Sequence, residues 1–351
     1  MKRVMSAVLV LCLLGALGAM PGLAEEEARL PRLQYRSNDY VTYLGKELYL
    51  EMKVLSGGTL PAGSVLELRD ADGTVWAEKA FNAGAKAIAF RIQMEEKHLG
   101  GHTLNVWYGD RKVTGEDLYV AVSDLSRPTV KTVETTEPVM SISLDCGFYG
   151  DNTDVVLGVL EEYGVKATFF FTGYFVKNFP EEAERIRDAG HEIGCHSMTH
   201  PRLTEQTRTR QINEIQGASE YIQQQLGVVP TLFRPPYGDV NGAVTALSRA
   251  AGMEVIMWSI DSHDWDKSYT ADKVFKRVTN KVGPGSIILF HLDGYTCEEN
   301  LRRALDYYMG TLGLQVIPVG ELLEKGGWEL PANPYLTEAA PEAGEEQPVA
   351  L

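Results

Sequence analysis

Two histidines four residues apart, in His196-Ser-Met-Thr-His200, have the types and spacing to do chemistry. On a helical turn or in a tight loop both imidazoles would face one side and could share a metal ion. Alone the pair is a weak signal, because histidines at this spacing are common on polar surfaces. The context strengthens it. Apolar runs in the second half of the chain end on polar or reactive side chains: Asp145-Cys146 after MSISL, His196 and His200 after HEIGC, and Arg234-Pro-Pro-Tyr-Gly238 after TLF. Asp261 to Trp265 follow VIMWSI, and His291 follows SIILF. Five of the seven histidines lie between His191 and His291. Two histidines and one anionic ligand, with a position left for water, are the makings of a catalytic zinc centre.

Something must bring these run-ends together. From Pro138 onward, helix-like stretches close at glycine and hand over to β-branched or aromatic runs, in YGVKATFFF, AGHEIGC, LGVVPTLF, AGMEVIMW and LGLQVIPV. Five such handovers predict parallel βα units, with helix starts at Asn152-Thr153, Asn241 and Thr270. A β/α barrel and an open doubly wound sheet both satisfy this pattern. The expected fold is α/β, a distorted or incomplete (β/α) barrel over residues 138–330. In a barrel, catalytic groups gather at the C-terminal ends of the strands, which is where the residues above fall.

The first half reads differently. Apolar side chains alternate in ELYLEMKV, KAIAFRI and TLNVWY, and Asp72-Gly73 and Gly109-Asp110 supply turns. A small immunoglobulin-like β sandwich is expected over residues 25–123. The polar stretch 124–137 reads as a linker that displays one domain beyond the other. The acidic, Pro/Ala-rich tail 331–351 is expected to be disordered.

The chain has 351 residues, of which 44% are apolar, enough for two domains. Lys2 and Arg3 precede an apolar run that ends near Pro21-Gly22, with Ala24 at the small position a signal peptidase needs. Residues 1–24 are therefore expected to be a signal peptide, leaving a secreted or envelope-facing protein. The run is shorter than the ~20 residues of a membrane-spanning helix, so no stable span is expected after cleavage. The net charge of −15 becomes −17 without Lys2 and Arg3 and argues against nucleic acid as a partner. Cleavage also removes Cys12, leaving Cys146, Cys195 and Cys297, an odd count that argues against a disulfide scaffold. Oligomeric state is not legible.

In order, SLDCG, HSMTH, RPPYG, DSHDW and LFH resemble the five motifs of the polysaccharide deacetylases of carbohydrate esterase family four, the NodB homology domain. The resemblance runs from about Pro138 to Leu323 and leaves out the β domain and the tail. It implies a metal-dependent N-deacetylase acting on N-acetylated amino sugars, with peptidoglycan as the expected substrate and N-acetylglucosamine polymers next. By carry-over, Asp145 is the general base and His291 the general acid, with Arg234 keeping Asp145 ionised and Asp264 orienting His291. His196 and His200 are metal ligands, zinc being the expected ion. The Tyr237 backbone N–H faces the developing oxyanion, and Trp265 and Leu289 wall the sugar and acetyl pocket. His191 is expected to be structural, and His263 is given no role. O-deacetylation is the other enzymatic reading.

One position departs from the family pattern. Cys146 stands where most members carry a second, metal-binding aspartate. It could ligate as thiolate, which zinc accepts. Water or a nearby carboxylate such as Asp151 could complete the shell instead, or the metal site could have decayed to leave a glycan-binding domain. Cys195, one residue before His196, could pair with Cys146 on oxidation. A cysteine hydrolase is a further, chemically poorer reading, since two histidines four apart serve a metal better than a nucleophile.

Overall fold

The computed structural model describes residues 29–330 apart from 57, 59, 62 and 83. The expected signal peptide and acidic tail lie outside the described residues. Alternating apolar residues in the first third form β1 (Arg32–Tyr35), β2 (Asp39–Tyr43), β3 (Glu47–Ser56), β4 (Val65–Arg69), β5 (Val75–Ala80), β6 (Ala87–Gln93), β7 (Gly100–Tyr108), β8 (Arg111–Lys112) and β9 (Leu118–Ser123). They make two sheets, ordered β1-β3-β6 and β2-β9-β7-β4-β5, with β8 beside β7. Leu48, Leu50 and Met52 of β3 and Leu104 and Val106 of β7 share one buried cluster, as period-two alternation requires of a sandwich.

The second unit alternates strands and helices: β10 (Val139–Cys146), α1 (Thr153–Glu162), β11 (Thr168–Phe171), α2 (Gly173–Asn178), α3 (Pro180–Asp188), β12 (Glu192–Cys195), α4 (Arg208–Leu226) and β13 (Leu232–Phe233). Then come α5 (Gly242–Ala250), β14 (Glu254–Val255), β15 (Ile260–Asp261), α6 (Ala271–Val278), β16 (Ile287–His291), α7 (Cys297–Leu305), β17 (Gln315–Val316) and α8 (Val319–Lys325). The strands form one parallel sheet in the order β14-β13-β12-β11-β10-β16-β15, with β17 against the start of β10. The edge strands β14 and β15 do not pair, yet only residues 256–259 separate them. So short a connection holds the edges close and forces the sheet to curl into an incomplete barrel. No described helix is long and apolar enough to cross a membrane.

β10 is an interior strand and buried throughout. Met140, Ile142, Leu144 and Cys146 join the core between sheet and helices, whereas Ser141, Ser143 and Asp145 take the alternate side. The small serines leave room in the barrel for the fully buried Arg234, stacked at 4.1 Å over Phe170. Gly194 on β12 completes that space, since a Cβ there would lie 2.5 Å from the Phe170 ring.

Residues 124–137 form a strap packed on the barrel rather than a loose linker. Val130 donates its N–H to Val255 O and Val133 its N–H to Gly285 O, both at 2.9 Å. Val130 and Val133 are buried with Ile256, Ile287 and Leu322 at the end of the barrel where β16 begins. α5 packs on β9, β2 and β7 of the sandwich. From the last turn of α5, the Arg249 side chain donates to the carbonyls of Asp124, Arg127 and Pro128 and pairs with buried Glu254 at 2.9 Å.

Candidate active site

The strand ends meet at a cleft of about 490 Å³ at the C-terminal mouth of the barrel. Asp145 and His291 face each other in register on adjacent strands. Arg234, at the end of β13, donates from Nη1 to Asp145 Oδ1 at 2.8 Å and from Nη2 to Ser143 Oγ at 2.9 Å and Met257 O at 3.1 Å. Burial alone would push the Asp145 carboxyl up. The neighbouring His196, Arg234 and His291 outweigh it and hold the group below its usual value, Arg234 being charged at every relevant pH.

His291 bonds through Nδ1 to Asp264 Oδ1 at 2.8 Å, and its backbone N–H donates to Asp264 Oδ2 at 3.0 Å. Ser262 Oγ donates to the same Asp264 Oδ1 at 2.8 Å. Burial would depress the imidazole, but the Asp264 hydrogen bond and the charges of Asp264, Asp145 and Asp293 raise it to about 9. His291 is thus a cation at neutral pH.

The His196–His200 segment is a loop, not a helical turn. Ser197 and His200 both adopt left-handed backbone, at φ 69° and 62°, which brings the two rings to 4.8 Å. Glu214 of α4 is buried and holds the loop, accepting from Thr199 N at 2.8 Å and Thr199 Oγ1 at 2.7 Å. Its backbone carbonyl accepts from Met198 N. His196 Nδ1 bonds to Arg234 O at 2.7 Å, so Nδ1 carries the proton and Nε2 lies 3.4 Å from Asp145 Oδ2. Burial lowers both imidazoles, outweighing the pull of the Asp145 carboxylate, His200 to about 3.

His200 Nδ1 is buried without a hydrogen-bond partner. Two neutral imidazoles, one with its tautomer set by a carbonyl and one with an unpaired nitrogen, fit a divalent cation. Cys146 does not join them. Its side chain is fully buried in the sheet–helix core and does not line the cleft, and burial pushes its thiol well up, away from thiolate. Among the described residues no three His, Cys, Asp or Glu side chains are gathered to hold a metal. The disulfide with Cys195 is also absent. Cys146 and Cys195 both pair with Phe171 from opposite sides, two strand spacings or ~9.5 Å apart, and both are free.

Tyr237, Trp265 and Leu289 line the cleft. Tyr237 holds a left-handed φ of 59°, a conformation costly outside glycine. His191 accepts from Ala167 N and packs on Phe169, a structural position. His263 lies 3.3 Å from Asp261 and 5.4 Å from the Trp265 ring and does not line the cleft. Sequence reasoning missed Phe148, Arg202, Trp258 and Asp293, which also line the cleft. Each sits one to three residues from a motif, so only its orientation reveals it.

Residues 132–256 match the family model for polysaccharide deacetylase. A peptidoglycan-N-acetylmuramic acid deacetylase of Bacillus subtilis is 32% identical over 200 residues, 57% of this chain and 42% of its own. A chitooligosaccharide deacetylase of Bradyrhizobium is 34% identical over 185 residues, and the match covers 84% of that protein. The chain belongs to the polysaccharide deacetylase family. Among solved structures, a pseudoenzyme of the same carbohydrate esterase family from Bacillus anthracis superposes with a TM-score of 0.53 at 27% identity, covering 67% of this chain and 78% of that one. The polysaccharide deacetylase match spans about half the length or less of the first curated relatives.

Proposed function

We propose that the barrel is a hydrolase that removes N-acetyl groups from amino sugars of an envelope polysaccharide, peptidoglycan being the substrate. The observation that carries this reading is the opposed pair at the cleft: an ionised Asp145 clamped by Arg234, and a protonated His291 clamped by Asp264. Amide hydrolysis needs those two states at once. Asp145 Oδ2 takes the proton of the attacking water, and His291 Nε2–H, left free by the Nδ1 bond to Asp264, protonates the departing amine. The Tyr237 backbone N–H is assigned to the oxyanion, and Trp265 and Leu289 to the sugar and acetyl walls. His196 and His200 would hold the divalent metal, which when bound polarises the carbonyl and acidifies water. Zinc is the ion assigned, from the two imidazoles. The two-sheet β unit is assigned to the immunoglobulin-like class, as a module facing the envelope.

The burial of Cys146 favours a second reading, a glycan-binding domain that no longer cleaves. Acetate release from peptidoglycan and from N-acetylglucosamine oligomers, with and without added zinc, separates the two. Zinc-dependent release abolished in Asp145→Asn supports the enzyme. Glycan binding without release on either substrate supports the second reading.

A further inference from the structure

The cleft is unevenly charged along its length. On the β16 side of Asp145, Asp293 lines it, and Asp293 is shared with a shallower depression lined by Tyr149, Asp151 and Tyr295. On the other side, beyond β11 and β12, the exposed Arg202 follows the His196–His200 loop and lines the same cleft. Its guanidinium lies 4.7 Å over the Tyr237 ring. Ring stacking orients the plane of the guanidinium and leaves its N–H edge available, the geometry in which arginine grips a carboxylate by two hydrogen bonds. Among the described residues Arg202 has no carboxylate partner, whereas Arg210, eight residues on, pairs with Glu214 at 2.7 Å. Arg234, the other guanidinium at this mouth, is buried and committed to Asp145.

We propose that Arg202 is the recognition residue for a carboxylate carried by the glycan, so that the cleft prefers acidic, muramoyl-type sugars to a neutral N-acetylglucosamine polymer. The proposal rests on the reading of the cleft as a glycan site and names which glycan it takes. The carboxylate has two possible sources, the lactyl group of N-acetylmuramic acid and the attached peptide, and both present the same anion to the same fork. At the opposite end Asp293 and Asp151 repel such a group, so a strand in which acidic and neutral sugars alternate is bound in a set direction.

The test is calorimetric binding to the full chain, stripped of metal so that turnover does not intervene. Three probes are used: a peptide-free N-acetylglucosaminyl-N-acetylmuramic acid tetrasaccharide, its lactyl methyl ester, and an N-acetylglucosamine tetramer. Wild type is expected to bind the acid about ten-fold more tightly than the ester, with the difference shrinking in high salt. Arg202→Gln removes that difference and leaves the neutral tetramer within about two-fold; Arg202→Lys, which keeps the charge without the fork, restores part of it. A peptide-bearing probe extends the comparison: a loss in Arg202→Gln confined to it assigns the anion to the peptide. Equal wild-type binding of every acidic and neutral probe overturns the inference, as does an equal loss for acid and neutral probes in Arg202→Gln. Acetate release is scored separately. Carboxylate-selective binding without release overturns the hydrolase reading and supports the role of Arg202.

Discussion

His291 is the residue whose titration the structure predicts with a sign. Burial opposes its charge, but Asp264, Asp145 and Asp293 raise it to about 9, so the acid form persists through neutral pH. The rate on N-acetylated oligomers is expected to stay level from about pH 7 and to fall as pH passes about 9. Asp264→Asn should bring that fall to lower pH, and an unmoved profile would remove His291 from the role. The linkage has the same direction. A folded value above the usual 6.5 means the Asp264–His291 pair stabilises the fold fully below about pH 6.5 and loses this as pH rises through about 9. Cys146 carries the second residue-scale prediction. Because its thiol is buried in the core, the cobalt(II)-loaded protein should lack the intense near-ultraviolet band of thiolate ligation, and Cys146→Ser should bind zinc within about three-fold of wild type. Cys146→Asp should leave zinc affinity unimproved and lower Tm, because it buries a carboxylate in the apolar core rather than beside the imidazole pair.

At the scale of elements, the two histidines depend on α4. Glu214 satisfies both the N–H and the hydroxyl of Thr199 within a loop that carries left-handed residues at Ser197 and His200. Glu214→Ala leaves those donors unpaired at a cost of about 1–3 kcal/mol, read as a lower Tm. It should also weaken zinc binding, measured by competition with a chelating dye, more than a surface change such as Gln224→Ala does. The barrel interior makes a parallel demand: Gly194→Ala presses a Cβ into the Phe170 ring on which Arg234 stacks. It should cost about 1–3 kcal/mol, measured by urea unfolding.

Across the whole molecule, the β sandwich and barrel meet through α5, and residues 124–137 close the far end of the barrel. A chain beginning at residue 124 should therefore be markedly more stable than one beginning at 138, because Val130 and Val133 fill the cluster around Ile256 and Ile287. Comparing Tm of the two chains checks this, and equal values would mean that the strap adds nothing. Arg249→Leu strips buried Glu254 of its nearer cation, leaving only Arg127 at 3.5 Å, and the strap of three hydrogen bonds. A loss of about 2–4 kcal/mol is expected, Arg127 compensating part of the Glu254 charge, together with faster proteolysis between residues 124 and 130.

Much of this was readable in the order of the residues. The switch from alternating strands to βα units near Pro138, the five motifs in sequence, and the placement of Asp145, Arg234, Asp264 and His291 at strand ends all follow from local pattern. Hydrophobic periodicity and turn chemistry act over a few residues, and a parallel barrel carries every strand end to one mouth. What needed the assembled fold was the direction of individual side chains. Strand alternation places Cys146 among Leu144 and the helices rather than with His196 and His200, and Phe171 separates it from Cys195. Glu214, Arg202 and Asp293 reach the site from a helix or from loops whose paths are set by contacts distant in sequence. The strap at 124–137 reads as a linker because its composition is polar. Its few valines matter only once the barrel exists to receive them.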